Sequence, residues 1–292
     1  MVALPRGLWL YVDVSRKGRR DVHQLEEVTS QCRVDGLALY GPSQSRSGPN
    51  DLDRPDPTRY EMQTAEWAHK LGLDLAIWYW PVPDRHGRED DNPIIPSALE
   101  WARLLEAKHL IADMESAWFG LPREAGGFVD AATAAAHGAG LSSIVSTYRH
   151  WRPDKVPMAQ FARADAIQLQ VYTNRPADCA FEKRDGTRFR GSQDFDSYPA
   201  EAVDWASEYG VPVLPAPRAY EAGGWSGKGK RPRVVKVDGP KWDADRFGRH
   251  LRAMPDAPAT FVWKLQSLWA HRRFWPVLAA WKAQRERGRR VA

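Results

Sequence analysis

Short apolar runs alternate with longer mixed segments along the whole chain. The runs 8–15, 36–40, 73–80, 109–115, 141–148, 165–172, 211–217 and 259–266 are rich in β-branched and aromatic residues, which predicts strands. The prolines of 211–217 make it the least regular of them. Between the runs, helices are predicted over 21–32, 59–71, 97–107, 128–138, 158–163, 199–209, 243–254 and 271–285. Gly72 and Gly210 stand where helix stops belong.

The pattern is therefore eight strand-then-helix units without a break. Such alternation implies a parallel sheet, and eight units imply a closed (β/α)8 TIM-type barrel. A doubly wound open sheet is the alternative, but it needs two sheets or an unusually wide one. The barrel is expected over residues 1–281, with 282–292 as a basic C-terminal tail. The longest connections, near 41–58, 81–96, 173–198 and 218–242, all follow strands. Barrel enzymes build their sites on that face.

The fourth run, His109-Leu-Ile-Ala-Asp-Met-Glu115, ends in two carboxylates. Residues two apart on a strand share a face, so Asp113 and Glu115 are expected to point the same way, roughly 7 Å apart. Acids at the end of a buried strand are costly to desolvate without compensation. They are either solvated or arginine-paired at a strand end, or they do chemistry. Asp13, at the end of the first run, is expected across the barrel from them.

Barrel strands point one parity inward. On that rule the mouth collects Tyr11, Tyr40, Tyr79, Tyr148, Gln168, Gln170, Tyr172, Arg218, Lys264 and Gln266 around the acids. Trp80, ending the third run, adds an aromatic face for a sugar ring. Amides and phenols suit ligands bearing hydroxyl and acetamido groups. Paired carboxylates in a cleft are the apparatus of glycoside cleavage, one protonated and one ionised. Glu115, longer and nearer the mouth, is the expected acid, and Asp113 is expected to stay ionised.

These residues resemble glycoside hydrolase family 25, the lysozymes (muramidases) of bacteria and phages. The matching pieces are Val12-Asp13-Val14-Ser15, Asp113-Met114-Glu115 and the Trp263…Gln266 strand. The family's adjacent Trp-Gln pair is here split by Lys264 and Leu265. Near the penultimate strand, where the family has an acid, stand Arg218 and Glu221. The resemblance implies cleavage of peptidoglycan at the β-1,4 bond after N-acetylmuramic acid, with Glu115 as general acid/base. It implies that Asp113 assists the substrate's acetamido group as internal nucleophile and that Asp13 supports the site. A non-catalytic barrel, binding glycan or built into a phage-like assembly, is a second expectation. A hydrolase of another polysaccharide is a third.

Composition adds limits. The chain is 43% hydrophobic and 27% charged, which is globular and not disordered. No run reaches the roughly 20 apolar residues of a membrane helix, so no membrane span is expected. The N-terminus lacks signal-peptide features, which predicts cytoplasmic synthesis, with action at the bacterial cell wall. Cys32 and Cys179 have no metal-binding spacing and are expected to be reduced and packed. The eight histidines show no HxH or HxxxH spacing, so neither a metal nor another cofactor is expected.

The net charge of +5 favours polyanionic surfaces such as cell-wall polymer, without specific nucleic-acid recognition. Much of it sits in 282–290, read as a solvated helix end. Residues 224–231 nearly spell a phosphate-binding loop, but Arg231 stands where Ser or Thr must hold magnesium. That segment reads as a basic flap. A lone lysine near carboxylates, such as Lys264, reads as an ion-pair partner rather than a Schiff-base former. No GxSxG nucleophile elbow is present. Several of the 14 tryptophans are expected to fill the core.

Overall fold

The computed structural model describes residues 2–13, 22–44, 52–84, 92–148, 153–171, 180–182, 188–190, 198–217, 224–226, 233–235, 244–262, 268 and 272–291. Its strands are β1 (Gly7–Val12), β2 (Gly36–Ser43), β3 (Asp74–Trp80), β4 (His109–Asp113), β5 (Ser142–Tyr148), β6 (Ala166–Gln170), β7 (Ala180–Glu182), β8 (Arg188–Arg190), β9 (Val213–Ala216), β10 (Gly224–Ser226), β11 (Arg233–Val235) and β12 (Ala259–Val262). The helices are α1 (Val22–Cys32), α2 (Arg59–Lys70), α3 (Ile94–Leu104), α4 (Pro122–Gly138), α5 (Met158–Phe161), α6 (Tyr198–Ser207), α7 (Ala244–Arg252) and α8 (Trp275–Val291).

Eight strands run in parallel in the order β12-β1-β2-β3-β4-β5-β6-β9. β9 and β12 lie side by side at the seam, giving a nearly closed (β/α)8 barrel. The two hairpins, β7–β8 and β10–β11, both fall in connections that follow barrel strands. They lie within the long connections 173–198 and 218–242.

The barrel has two separate apolar layers. Leu8, Leu10, Val12, Leu37, Leu39, Leu75 and Ile77 face the helices. Trp9, Tyr11, Ala38, Ala76, Trp78, Ile111, Ile144 and Phe261 fill the interior. The Trp9 ring needs room there, and Gly36 supplies it: a Cβ at Gly36 would sit 2.6 Å from that ring. Beside Trp9, His109 Nδ1 lies 2.7 Å from Ser142 Oγ, and the two rings meet edge-on at 5.4 Å. Burial depresses the His109 pKa to about 4, so this histidine is a neutral part of the barrel floor. Cys32 is free and buried, its thiol pushed up to about 12 by desolvation. Cys179 lies outside the described residues.

The N-terminal face is tied to the last helix. Asp35 accepts a hydrogen bond from Leu8 N at 2.6 Å and an ion pair from Lys282 at 2.7 Å. The close approach needs Gly7, which sits at φ +79° and has no Cβ to meet the Asp35 carboxylate. α8 crosses residue 282 without a break, and Lys282 is buried. A cavity of about 390 Å³ opens on this face, lined in part by Arg6, Asp74, Trp281 and Glu286.

At the opposite, C-terminal end, the segment after β2 is pinned. Gln44 donates to Asn92 Oδ1 and accepts from Val82 N, both at 2.7 Å, joining the connections after β2 and β3. Trp101 Nε1 and Ser97 Oγ both donate to the Pro55 carbonyl. α2 starts with a capping box, Thr58 and Glu61 each satisfying the other's backbone. Glu61, fully buried, also pairs with Arg54, whose guanidinium stacks on Tyr40 and Trp101 at 5.0 and 5.2 Å.

Replacing Glu61 leaves a nearly buried guanidinium without its counter-charge. Glu61→Gln should therefore destabilise the fold by about 3 kcal/mol, the lower part of the range for broken buried pairs, because Arg54 keeps its two rings. Chemical denaturation measures this. A loss below about 0.5 kcal/mol would mean that the pair is already solvated.

Candidate active site

β4 is buried along its whole length and delivers Asp113 as its last residue. The expectation that Glu115 also lies within the strand is corrected: the ladder stops at Asp113. Glu115 adopts φ −92° and ψ −154° and opens a 3-10 turn over Ser116–Trp118. Trp118 fixes that turn. It donates its backbone N–H to the Glu115 carbonyl at 2.9 Å and its indole N–H to the Pro81 carbonyl at 3.1 Å. Its ring packs on Phe128 at 5.1 Å. Glu115 thus rides on a turn anchored by a fully buried tryptophan, and it remains partly exposed itself.

Asp113 sits deeper. Gln170 Nε2 donates to its Oδ1 at 3.0 Å and to Ser146 Oγ at 3.1 Å. Ser146 and the Trp78 indole also face the Asp113 carboxyl and favour its charged form. Burial nevertheless holds this carboxyl well above the usual carboxylate range, and the nearby charge of Glu115 adds to the effect. The expectation that Asp113 stays ionised is therefore corrected. It is the group whose surroundings favour the neutral acid, because desolvation outweighs the groups that favour its charge.

Tyr11 stands across the interior on β1, its hydroxyl against Ser146 and Gln168. Its ring meets Trp78 edge-on at 5.0 Å. Burial first, and then the charge at Asp113, raises its pKa well above that of a free phenol. Gln168 is fully buried at the same level, with Ser146 as its register partner. Tyr148 is half-buried at the rim. Its hydroxyl bonds Ser116 and its ring meets Phe119 at 5.4 Å. Desolvation raises its pKa, and the two carboxylates add to that.

Tyr40 is stacked between Trp78, at 4.8 Å, and the Arg54 guanidinium. Trp80 ends β3 half-buried on the parity of Trp78. Asp13 follows β1 directly and is half-buried at the same end of the barrel.

Tyr79 is a further correction. It is 1% exposed and faces the helices, with its ring 6.5 Å from Phe128 of α4. Trp78 takes the inward position. β3 is apolar on both faces, so alternation carries no sign of which side is inward. Tyr79 and Trp80 stand on opposite faces and could never both line the mouth. Ser146 and Trp78 belong to the candidate site but not to the residues expected there from sequence. The parity that selects Tyr148 also selects Ser146, and that which selects Trp80 also selects Trp78.

Tyr172, Arg218, Lys264 and Gln266 lie outside the described residues. In the described part of β12, Ala259 and Phe261 point inward and Val262 faces the helices. Among the described residues no cluster of His, Cys, Asp and Glu is arranged to hold a metal ion. No helix among them is long and apolar enough to cross a membrane.

Acids on a parallel β/α barrel, at the C-terminal ends of its strands, place this protein in the class of eight-stranded barrels with a candidate site at the usual mouth. No protein family model and no curated protein sequence matches the chain. Solved structures do share the fold. A chitinase from Chromobacterium violaceum ATCC 12472 superposes with a TM-score of 0.64 at 14% identity, over 95% of this chain and 99% of that one. The GH18 chitinase ChiB from the chitin utilization locus of Flavobacterium johnsoniae gives 0.62 at 11%, over 96% and 94%. The spore cortex-lytic enzyme SleL of Bacillus cereus gives 0.60 at 11%, over 94% and 74%. At these identities the likeness concerns the fold.

Proposed function

We propose that this protein is a glycoside hydrolase acting on bacterial cell-wall peptidoglycan, at the β-1,4 bond after N-acetylmuramic acid. The observation that carries the reading is the carboxyl pair: a deeply buried, hydrogen-bonded Asp113 beside a partly exposed Glu115 at the barrel mouth. Two acids in such unequal surroundings are set up to share one proton, as glycoside cleavage requires. The barrels it resembles include chitinases and a spore cortex-lytic enzyme, which supports a glycan substrate. The protein would act at the cell wall, with delivery by a phage-like assembly in keeping with the family 25 resemblance.

In this mechanism Glu115 gives its proton to the glycosidic oxygen as the C1–O bond breaks. The acetamido carbonyl oxygen of the same sugar closes on C1, forming a cyclic oxazolinium. Asp113, having passed its proton toward Glu115, holds the acetamido N–H as an anion. Water attacks C1, Glu115 takes the water's proton, and the ring opens with configuration retained. Tyr11 and Tyr148 border the carboxyls, and Trp78 and Tyr40 wall one side.

This chemistry needs an acetamido group, which peptidoglycan and chitin carry and mannan lacks. Digestion of the three polymers by purified protein, read by mass spectrometry, tests it. The expected result is fragments from peptidoglycan and none from mannan. Fragments from chitin alone would move the substrate to another acetamido polysaccharide. No fragments from any polymer, with glycan binding intact, would favour a non-catalytic barrel.

A further inference from the structure

Gln170 is read from sequence as a substrate contact, but its side chain is committed elsewhere. It is 4% exposed, and Nε2 directs its two protons to Asp113 Oδ1 at 3.0 Å and Ser146 Oγ at 3.1 Å. The register explains the reach. Asp113 pairs with Ser146 across β4 and β5, while Gln170 pairs with Tyr148 one pleat nearer the mouth. Its amide therefore spans β5 to reach a carboxyl two strands away. Ser146 accepts from Gln170 and faces Asp113, so the three side chains form one cluster. With both amide protons used inside the barrel, Gln170 has none left to donate to a sugar oxygen.

We infer that Gln170 is a positioning residue, which orients the Asp113 carboxyl and, with Ser146, stabilises the negative charge Asp113 takes on when the shared proton moves to Glu115. The inference rests on the proposed roles of Asp113 and Glu115. The physical basis is that donors aimed at a carboxylate favour its charged form. In a dry site, fixed donors do this without reorganising as the charge appears. Among the described residues, the titratable groups facing Asp113 are Tyr11 from β1, Tyr148 from β5 and Glu115 beyond its own strand. Neither phenol offers a cation, so among the described residues the groups that favour a charge on Asp113 are neutral: Gln170, Ser146 and Trp78.

The test is Gln170→Met, which keeps the length and removes both donors. With Gln170 gone, the ionised form of Asp113 loses support and its proton is held more tightly. Turnover should fall about 10- to 100-fold, the range for one hydrogen bond to a charged group. KM should change little, and the alkaline limb of the kcat–pH profile, where Asp113 gives up the shared proton, should move to higher pH by about one unit. Ser146→Ala should shift that limb the same way and decides the matter if Gln170→Met does not fold, as judged by circular dichroism and thermal melting. An alkaline limb that stays in place in a folded variant, or an effect confined to KM, would overturn the inference; the latter would make Gln170 a substrate contact. Carboxyl titration by 13C NMR with labelled aspartate needs no turnover. If the wild-type protein cleaves no glycan but the Asp113 titration still rises in Gln170→Met, the proposed function fails and the charge-stabilising role stands. If the titration does not rise, the role itself fails.

Discussion

Glu115→Gln should lower glycan turnover by about 10³-fold or more while leaving the fold and its melting temperature nearly unchanged. The glutamine keeps the size of the side chain and can still hydrogen-bond, but it has no proton to give the leaving oxygen and no base to activate water. General acid–base groups contribute about 10²- to 10⁴-fold, and Glu115 serves in both halves of the reaction. Structural damage is not expected, because the turn that carries Glu115 is held by its backbone carbonyl and by the buried Trp118. The measurement is release of reducing ends from peptidoglycan, with the wild type as reference. Turnover within about threefold of wild type would remove Glu115 from the mechanism.

Asp113→Asn should cost activity on a similar scale, about 10²- to 10³-fold, but with an opposite sign in stability. The folded state raises the proton affinity of Asp113 by burying it. A group whose folded pKa exceeds its unfolded one stabilises the fold below the unfolded pKa and loses that contribution as pH rises toward the folded one. The wild type therefore gives up stability between about pH 4, the ordinary aspartate value, and the higher pH at which buried Asp113 ionises. Asparagine does not ionise and gives up none. The melting temperature of Asp113→Asn relative to wild type should climb with pH over that window, while turnover stays low. A difference independent of pH would mean that Asp113 titrates as it does in the unfolded chain. The kcat–pH profile should also simplify, since the remaining carboxyl titrates without its partner.

Such a trade, activity held at a cost in stability, is common where a buried group must carry charge. Here it falls on one residue of one strand. The surrounding barrel compensates only in part, with Gln170, Ser146 and Trp78 arriving from three different strands.

Much of this was legible in the chain. The alternation of short apolar runs with helical periods predicts eight β/α units, and the ring of eight parallel strands agrees. The long segments after strands predict the face that carries the site. Asp113 and Glu115 stand out as paired acids after an apolar run, and Gln168 and Gln170 as amides at spacing two on β6. Boundaries were harder to read. Helix α4 begins at Pro122 rather than at Phe128, because the helix opens on a polar turn before its apolar face begins. Helix α3 begins at Ile94, with Pro96 inside the first turn, where a proline costs no hydrogen bond. Strand β4 ends before Glu115, since the turn locked by Trp118 takes over there.

What the sequence by itself determined is period and order: which residues form strands, how many there are, and which end of them carries the acids. These follow from side-chain alternation and helix spacing, which are properties of neighbouring residues. The tertiary structure decided the rest. It turned Trp78 inward and Tyr79 outward, a choice that an all-apolar strand cannot express. It assigned Gln170 to a carboxyl 57 residues away. It also favoured the neutral form of Asp113, because proton affinity depends on desolvation and on polar neighbours from β3, β5 and β6, and neither exists until the barrel closes around them.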